Sequence, residues 1–123
     1  MRRGVRAFAE RGPEAVLPSL DPEVVIVDPD LPGGGTFRGR DGFLTFTKQV
    51  LEAFEDYEVE AEELFDGGDR IVVFLRHRGR GGASGAPIKL RDAQVWTIQD
   101  KRATKIVLYL DRRAALEAAG LSE

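Results

Sequence analysis

Asp28 closes the apolar run Val24 to Val27 and stands directly before Pro29. One reading of that position is a carboxylate held at the mouth of a pocket. The plainer alternative is an Asp that shapes a turn beside proline. His77, the only histidine, lies near the end of a strand-like run between Arg76 and Arg78. General acid/base work, metal ligation and a rim position without catalysis are all open to it. One histidine cannot build a multi-histidine metal site within a subunit. With no cysteine in the chain, thiol nucleophiles, disulfides and cysteine-ligated metals are excluded. Ser84, in the segment Gly79 to Gly85, has neither the strand–elbow–helix setting nor the nearby base of a nucleophile. Gly33-Gly34-Gly35 follows an apolar run, but no Gly-Lys-Ser/Thr comes after it, so neither a P-loop nor a dinucleotide fingerprint is present. No cofactor and no metal is implied.

The chain has 123 residues and a net charge of −3, with no general attraction to nucleic acid or an anionic membrane. It has room for one domain, residues 1–123, and no linker or repeat divides it. No apolar run approaches the roughly 20 residues of a membrane span, and the start lacks a signal-peptide core, so a cytoplasmic location is expected. The charge is unevenly spread. Glu52 to Asp69 holds nine acids and no base, whereas the charged residues from Arg70 to Arg91 are all basic. If the two stretches pair as strands, opposite charges face each other across the ladder. The alternative is a basic ligand patch.

The elements that must position these groups follow from periodicity. Short helices are expected over Val5 to Glu10 and from Pro13, with a turn at Asp21-Pro22 and a loop over Pro29 to Gly39. Phe43, Phe46, Val50, Leu51 and Phe54 form one stripe on a helix from about Arg40 to Phe54. Strands are expected over Tyr57–Leu64, Arg70–Arg78, Ile88–Ile98 and Lys105–Leu110, with hairpin-length links implying antiparallel pairing. Asp111 can cap a last helix, Arg112 to Ala119, closed by Gly120. Residues 71–75 are apolar on both faces and need two covers. Alternation puts Leu90, Asp92, Gln94 and Trp96 on one face and Arg91 on the other. The resulting class is α+β.

The segments VRAFAERGPEAVLPSLDPEVVIVDP, FRGRDGFLTFTKQV, IKLRDAQVWTI and VLYLDRRAALEAAGL, in that order, resemble a SnoaL-like domain of the nuclear-transport-factor-2-like, ketosteroid-isomerase-like superfamily. The resemblance implies a cone-shaped roll. In it a curved antiparallel sheet wraps around a pocket, with three helices in the N-terminal half and a short C-terminal one. It also implies a homodimer through the outer sheet face, for which Ala93, Val95, Val107 and one face of residues 71–75 are the candidates. Isomerase-type members place a general-base aspartate where Asp28 stands. Their two oxyanion donors fall near Val5, which cannot donate, and at Gln94, whose amide can. Cyclase-like members point to Asp111, in competition with its cap role. An epoxide-hydrolase type would need Asp28, Arg91 or Arg76, and Asp92 around one water.

These readings give Asp28 and Gln94 as catalytic candidates, with Phe43, Phe46, His77, Asp92, Trp96 and Tyr109 as ligand-binding ones. The expected function is an acid/base isomerase or cyclase acting on a hydrophobic, oxygenated small molecule. Noncatalytic binding of a hydrophobic ligand and a structural homodimer without a ligand are the alternatives. Neither nucleic acid nor a membrane is an expected partner.

Overall fold

Phe43, Phe46 and Val50 recur at helical spacing, and they wind into α1, Gly39–Ala53, whose inward stripe buries Phe43 and Phe46. The computed structural model describes residues 11–29, 35–81 and 84–121. Before α1 come a 3₁₀ helix, Pro13–Ser19, and strands β1, Leu20–Asp28, and β2, Gly35–Arg38. After it come β3, Phe54–Asp66; β4, Arg70–Gly81; β5, Pro87–Gln99; and β6, Arg102–Tyr109. Helix α2, Arg112–Ala118, ends the described chain. The strands form one sheet in the order β2-β1-β6-β5-β4-β3.

One sheet face carries Leu20, Val24, Ile26, Val73, Leu75, Trp96 and Ile106 and packs against the 3₁₀ helix and α1. The other buries Val72, Phe74, Ala93 and Val95 beneath Ala115 and Leu116 of α2. Strand β4, apolar on both faces, thus finds both covers within its own chain. Helix α2 is held by its ends. Asp111 accepts hydrogen bonds from the backbone N–H of Arg113 at 2.8 Å and of Ala114 at 3.4 Å. At the other end Gly120 takes φ 74°, and the N–H of Leu121 reaches the Leu116 carbonyl at 2.8 Å. Arg112 donates to the carbonyls of Leu75 and Asp92 and stands 4.6 Å over the Phe74 ring.

The acidic and basic runs meet as expected across β3 and β4. Arg76 pairs with Glu60, Arg78 with Glu58 at 3.2 Å, and Arg80 with Asp56. Exposed pairs of this kind contribute about 0–1 kcal/mol each, so they favour the register more than the stability.

Several expectations are corrected. The sheet is not a closed or strongly curled antiparallel cone. It is open, with β2 and β3 as its edges, and mixed, because β1 runs parallel to β6. Hairpin turns fix the direction of β3 through β6, whereas no local turn joins β1 to β6. Three helices are described, the 3₁₀ helix, α1 and α2, rather than three N-terminal ones and a C-terminal one. The expected helix over Val5 to Glu10 lies outside the described residues. Within the expected loop, Gly35–Arg38 pairs antiparallel with β1. Asp21-Pro22 lies inside β1, at the register shift between Leu20 and Val25, and Asp21 still accepts from the N–H of Glu23 at 2.8 Å. A bulge tolerates the missing proline N–H. Of the expected dimer face, Ala93, Val95, Val72 and Phe74 are buried under α2.

Candidate functional site

Between α1 and the inner sheet face lies a cavity of about 320 Å³. Its volume is at the lower end of the ~300–1,000 Å³ of small-molecule sites. Phe43, Phe46 and Val50 of α1 wall it on one side; Val59, Leu75 and Trp96 of the sheet wall it on the other. Leu90 and Leu110 line it while 37% and 58% exposed, which puts them where it meets solvent. Eight residues nominated from the sequence lie on its lining: Asp28, Phe43, Phe46, His77, Asp92, Gln94, Trp96 and Tyr109.

Asp28 is the last residue of β1, half-buried and in register with Gly35 of β2. Gln94 sits mid-β5 opposite Val73, and its side-chain oxygen accepts a hydrogen bond from Trp96 Nε1 at 2.9 Å. With the oxygen engaged, the donor end of the amide is the part available to a ligand. Tyr109 is shared, since its ring also packs against the cluster beneath α2.

A hydrogen-bonded polar group joins two of the nominated residues, His77 and Asp92, to Tyr57, which the sequence did not single out. Tyr57 Oη lies 2.5 Å from His77 Nδ1, and His77 Nε2 lies 2.7 Å from Asp92 Oδ1. Val59 of β3 and Leu90 of β5 stand directly opposite His77, so Tyr57 and Asp92 approach it along the two diagonals. The side chains of His77 and Asp92 are only 11% and 8% exposed. A carboxylate so buried stays charged only with a partner, and His77 supplies one. Burial, and next the charge of Asp92, push the Tyr57 phenol above its ordinary ionisation range. Tyr57 is therefore a fixed hydroxyl. Its two-residue alternation with Val59 and Ala61, which also border the inner-face core, is the signal in the sequence that could have pointed it inward.

Other nominees fall elsewhere. Asp111 is an exposed helix cap outside the lining. Arg91 is 64% exposed and faces Glu62 at 3.5 Å, and Arg76 pairs with Glu60, so neither arginine joins Asp28 and Asp92 at the cavity. The position near Val5 lies outside the described residues. Among the described residues, no cluster of three or more metal-ligating side chains is present, and no helix is long and apolar enough to cross a membrane.

The family model described as a SnoaL-like domain matches residues 1–106. The chain belongs to the SnoaL-like family. Its fold is that of the NTF2-like and ketosteroid-isomerase-like proteins. An NTF2-like protein of unknown function from Burkholderia pseudomallei K96243 is 27% identical, with a TM-score of 0.78 over 94% of this chain and 91% of that one. The structure of TerC co-crystallised with polyporic acid is 26% identical, with a TM-score of 0.75 over 95% of this chain and 92% of TerC. A protein with a ketosteroid isomerase-like fold from Catenulispora acidiphila DSM 44928, in complex with trimethylamine, shares the fold at 18% identity and a TM-score of 0.75, over 96% and 89% of the two chains. No curated protein sequence matches this SnoaL-like chain.

Proposed function

We propose that this chain is a single SnoaL-like domain that takes a hydrophobic, oxygenated small molecule into its cavity and moves a proton on it, as an isomerase or cyclase does. The observation that carries the reading is the make-up of the cavity: apolar walls of Phe43, Phe46, Leu75 and Trp96 with a few carboxyl, amide, phenol and imidazole groups among them. Apolar walls favour a hydrophobic body, and sparse polar groups fix its orientation. In the proposed reaction Asp28 removes a proton next to a carbonyl, and the Gln94 amide, steadied by Trp96, donates to the oxygen that gains charge. TerC, at 26% identity, was co-crystallised with polyporic acid, which supports a small organic ligand here too.

A homodimer belongs to the same proposal. The part of the outer sheet face that α2 leaves uncovered offers half-buried Val25, Val27 and Val107, with Val27 and Val107 in register.

Deuterium uptake next to the carbonyl of a panel of cyclic and aromatic ketones, followed by proton NMR in D₂O, tests the chemistry. The expected result is uptake well above the buffer rate, lowered about a hundredfold or more in Asp28→Asn. Uptake at the buffer rate for every ketone, or equal uptake by Asp28→Asn, contradicts it. Thermal-shift screening of steroids, aromatic polyketides, terpene epoxides and fatty acids narrows the ligand class.

A further inference from the structure

Tyr57, His77 and Asp92 come from three adjacent strands and form one hydrogen-bonded line on the cavity wall. The backbone is distorted where that line begins. The β3–β4 register shifts between Glu55 and Glu58, and Asp56, inside the shift, takes φ 52°, a left-handed conformation uncommon outside glycine. Gly79 of β4 lies against this bulge. A Cβ there would meet the Glu55 carbonyl oxygen at 3.0 Å and Phe54 at 3.1 Å. Bulges re-aim side chains beside functional sites, and this one sets Tyr57 onto His77.

An ionised Asp92 can only accept, so His77 Nε2 carries a hydrogen. When the imidazole is neutral, Nδ1 is a lone pair and the Tyr57 hydroxyl hydrogen points at it, leaving Oη only an acceptor toward the cavity. When the ring is an imidazolium, Nδ1–H donates to Oη and the hydroxyl hydrogen is free for a ligand. Tyr57 itself stays a phenol, because burial and the Asp92 charge oppose its ionisation.

We propose that Tyr57, His77 and Asp92 form a proton-delivering unit that binds the carbonyl oxygen of an apolar ketone through the Tyr57 hydroxyl, with His77 Nδ1 resupplying the proton. Ketone binding stands on the geometry of this line alone; the proton-transfer step rests on the acid/base reading above, with Asp28 as base. In that step the C–H bond next to the carbonyl breaks toward the Asp28 carboxylate, and its electron pair forms the carbon–carbon double bond. The carbonyl π pair moves to oxygen, which takes the Tyr57 proton, and Tyr57 takes the Nδ1 proton. The products are an enol, a protonated Asp28 and a neutral His77. The titratable groups facing His77 are Tyr57 from β3 and Asp92 from β5, while Asp28 and Tyr109 share the cavity. Its neighbours Arg76 and Arg78 are paired with Glu60 and Glu58.

The test compares acetophenone with α-methylstyrene, which has the same shape and replaces the carbonyl oxygen with a methylene group. Binding is read from the indole N–H signal of Trp96, the only tryptophan. The expected result is a preference for the ketone of about tenfold, as for one hydrogen bond in a dry site, that declines with rising pH. Tyr57→Phe abolishes the preference and leaves α-methylstyrene binding unchanged. His77→Gln removes the pH dependence and serves if Tyr57→Phe does not fold. Asp28→Asn keeps the preference whether or not it stops deuterium uptake, which separates failure of this unit from failure of the acid/base reading. The proposal is overturned if Tyr57→Phe weakens both probes equally or keeps the preference, if pH dependence survives in His77→Gln, or if the wild-type protein binds neither probe.

Discussion

Truncating Leu116 tests whether α2 is the cover of the outer sheet face. The helix has seven residues, too few to hold together alone, so its stability must come from docking. Leu116 is 3% exposed and packs in the cluster of Val72, Phe74, Ala93 and Val95. Buried Leu→Ala changes cost about 2–5 kcal/mol, depending on how far the site can close over the cavity left behind. A two-turn helix near the end of the described chain can shift inward more easily than a central strand, so the lower half of that range applies, about 2–3 kcal/mol. Leu110→Ala is the control. Its side chain is 58% exposed, and the expected loss is within about 0.5 kcal/mol. Urea unfolding of both variants, with equal m-values, measures the difference. Equal losses for Leu116→Ala and Leu110→Ala would refute the docking of α2. They would return Val72, Phe74, Ala93 and Val95 to the role of a dimer face.

Three further outcomes follow from local structure. Asp111→Ala, which removes the acceptor for two backbone N–H groups, should cost about 1 kcal/mol in urea unfolding, and Asp111→Asn should recover most of it. Gly79→Ala should cost about 1–3 kcal/mol, since its Cβ presses on the Glu55 carbonyl, and should shift the His77 ring signals in NMR; an unchanged ring spectrum would contradict the role given to the bulge. The hydrogen bond from Arg112, with smaller contributions from the charges of Arg91, Arg112 and Arg76 and against the opposing effect of burial, holds the Glu62 carboxyl below its ordinary range. Its contribution to stability is therefore present above the ordinary carboxylate range and lost as pH falls through the lowered value. The stability gap between the wild-type protein and Glu62→Gln should accordingly narrow toward acid pH, and a gap that widens there would contradict the assignment.

How legible each feature was depends on how locally it is encoded. The stripe Phe43-Phe46-Val50, the Asp111 cap with its Gly120 stop, and the hairpins after Asp66 and Gln99 are written within a few residues each, and the sequence reading placed them. That Asp92, Gln94 and Trp96 share one face, with Arg91 on the other, follows from two-residue alternation, while the choice of that face as the inner one came from the family resemblance. The parallel partnership of β1 with β6 was not legible, because it joins distant segments with no turn between them. Nor was strand β2, where Gly35–Arg38 pairs only because β1 offers an open edge. The cover over Val72 and Phe74 was read as a second subunit, since nothing in Ala115 and Leu116 states which surface they meet. Tyr57 escaped notice for a related reason. Its facing was readable, but its link to His77 depends on the Asp56 bulge and on three strands coming together.

The most direct test of the account is the indole N–H signal of Trp96, which lines the cavity, is bonded to Gln94 and is unique in the chain. Titrating hydrophobic ketones into the protein while recording that signal asks whether the cavity takes the molecules assigned to it. The account predicts a saturable shift shared by amides of Phe43, Phe46 and Gln94, with the amides of α2 unmoved. Ketones that leave Trp96 unmoved at saturation, or that shift α2 instead, would contradict it.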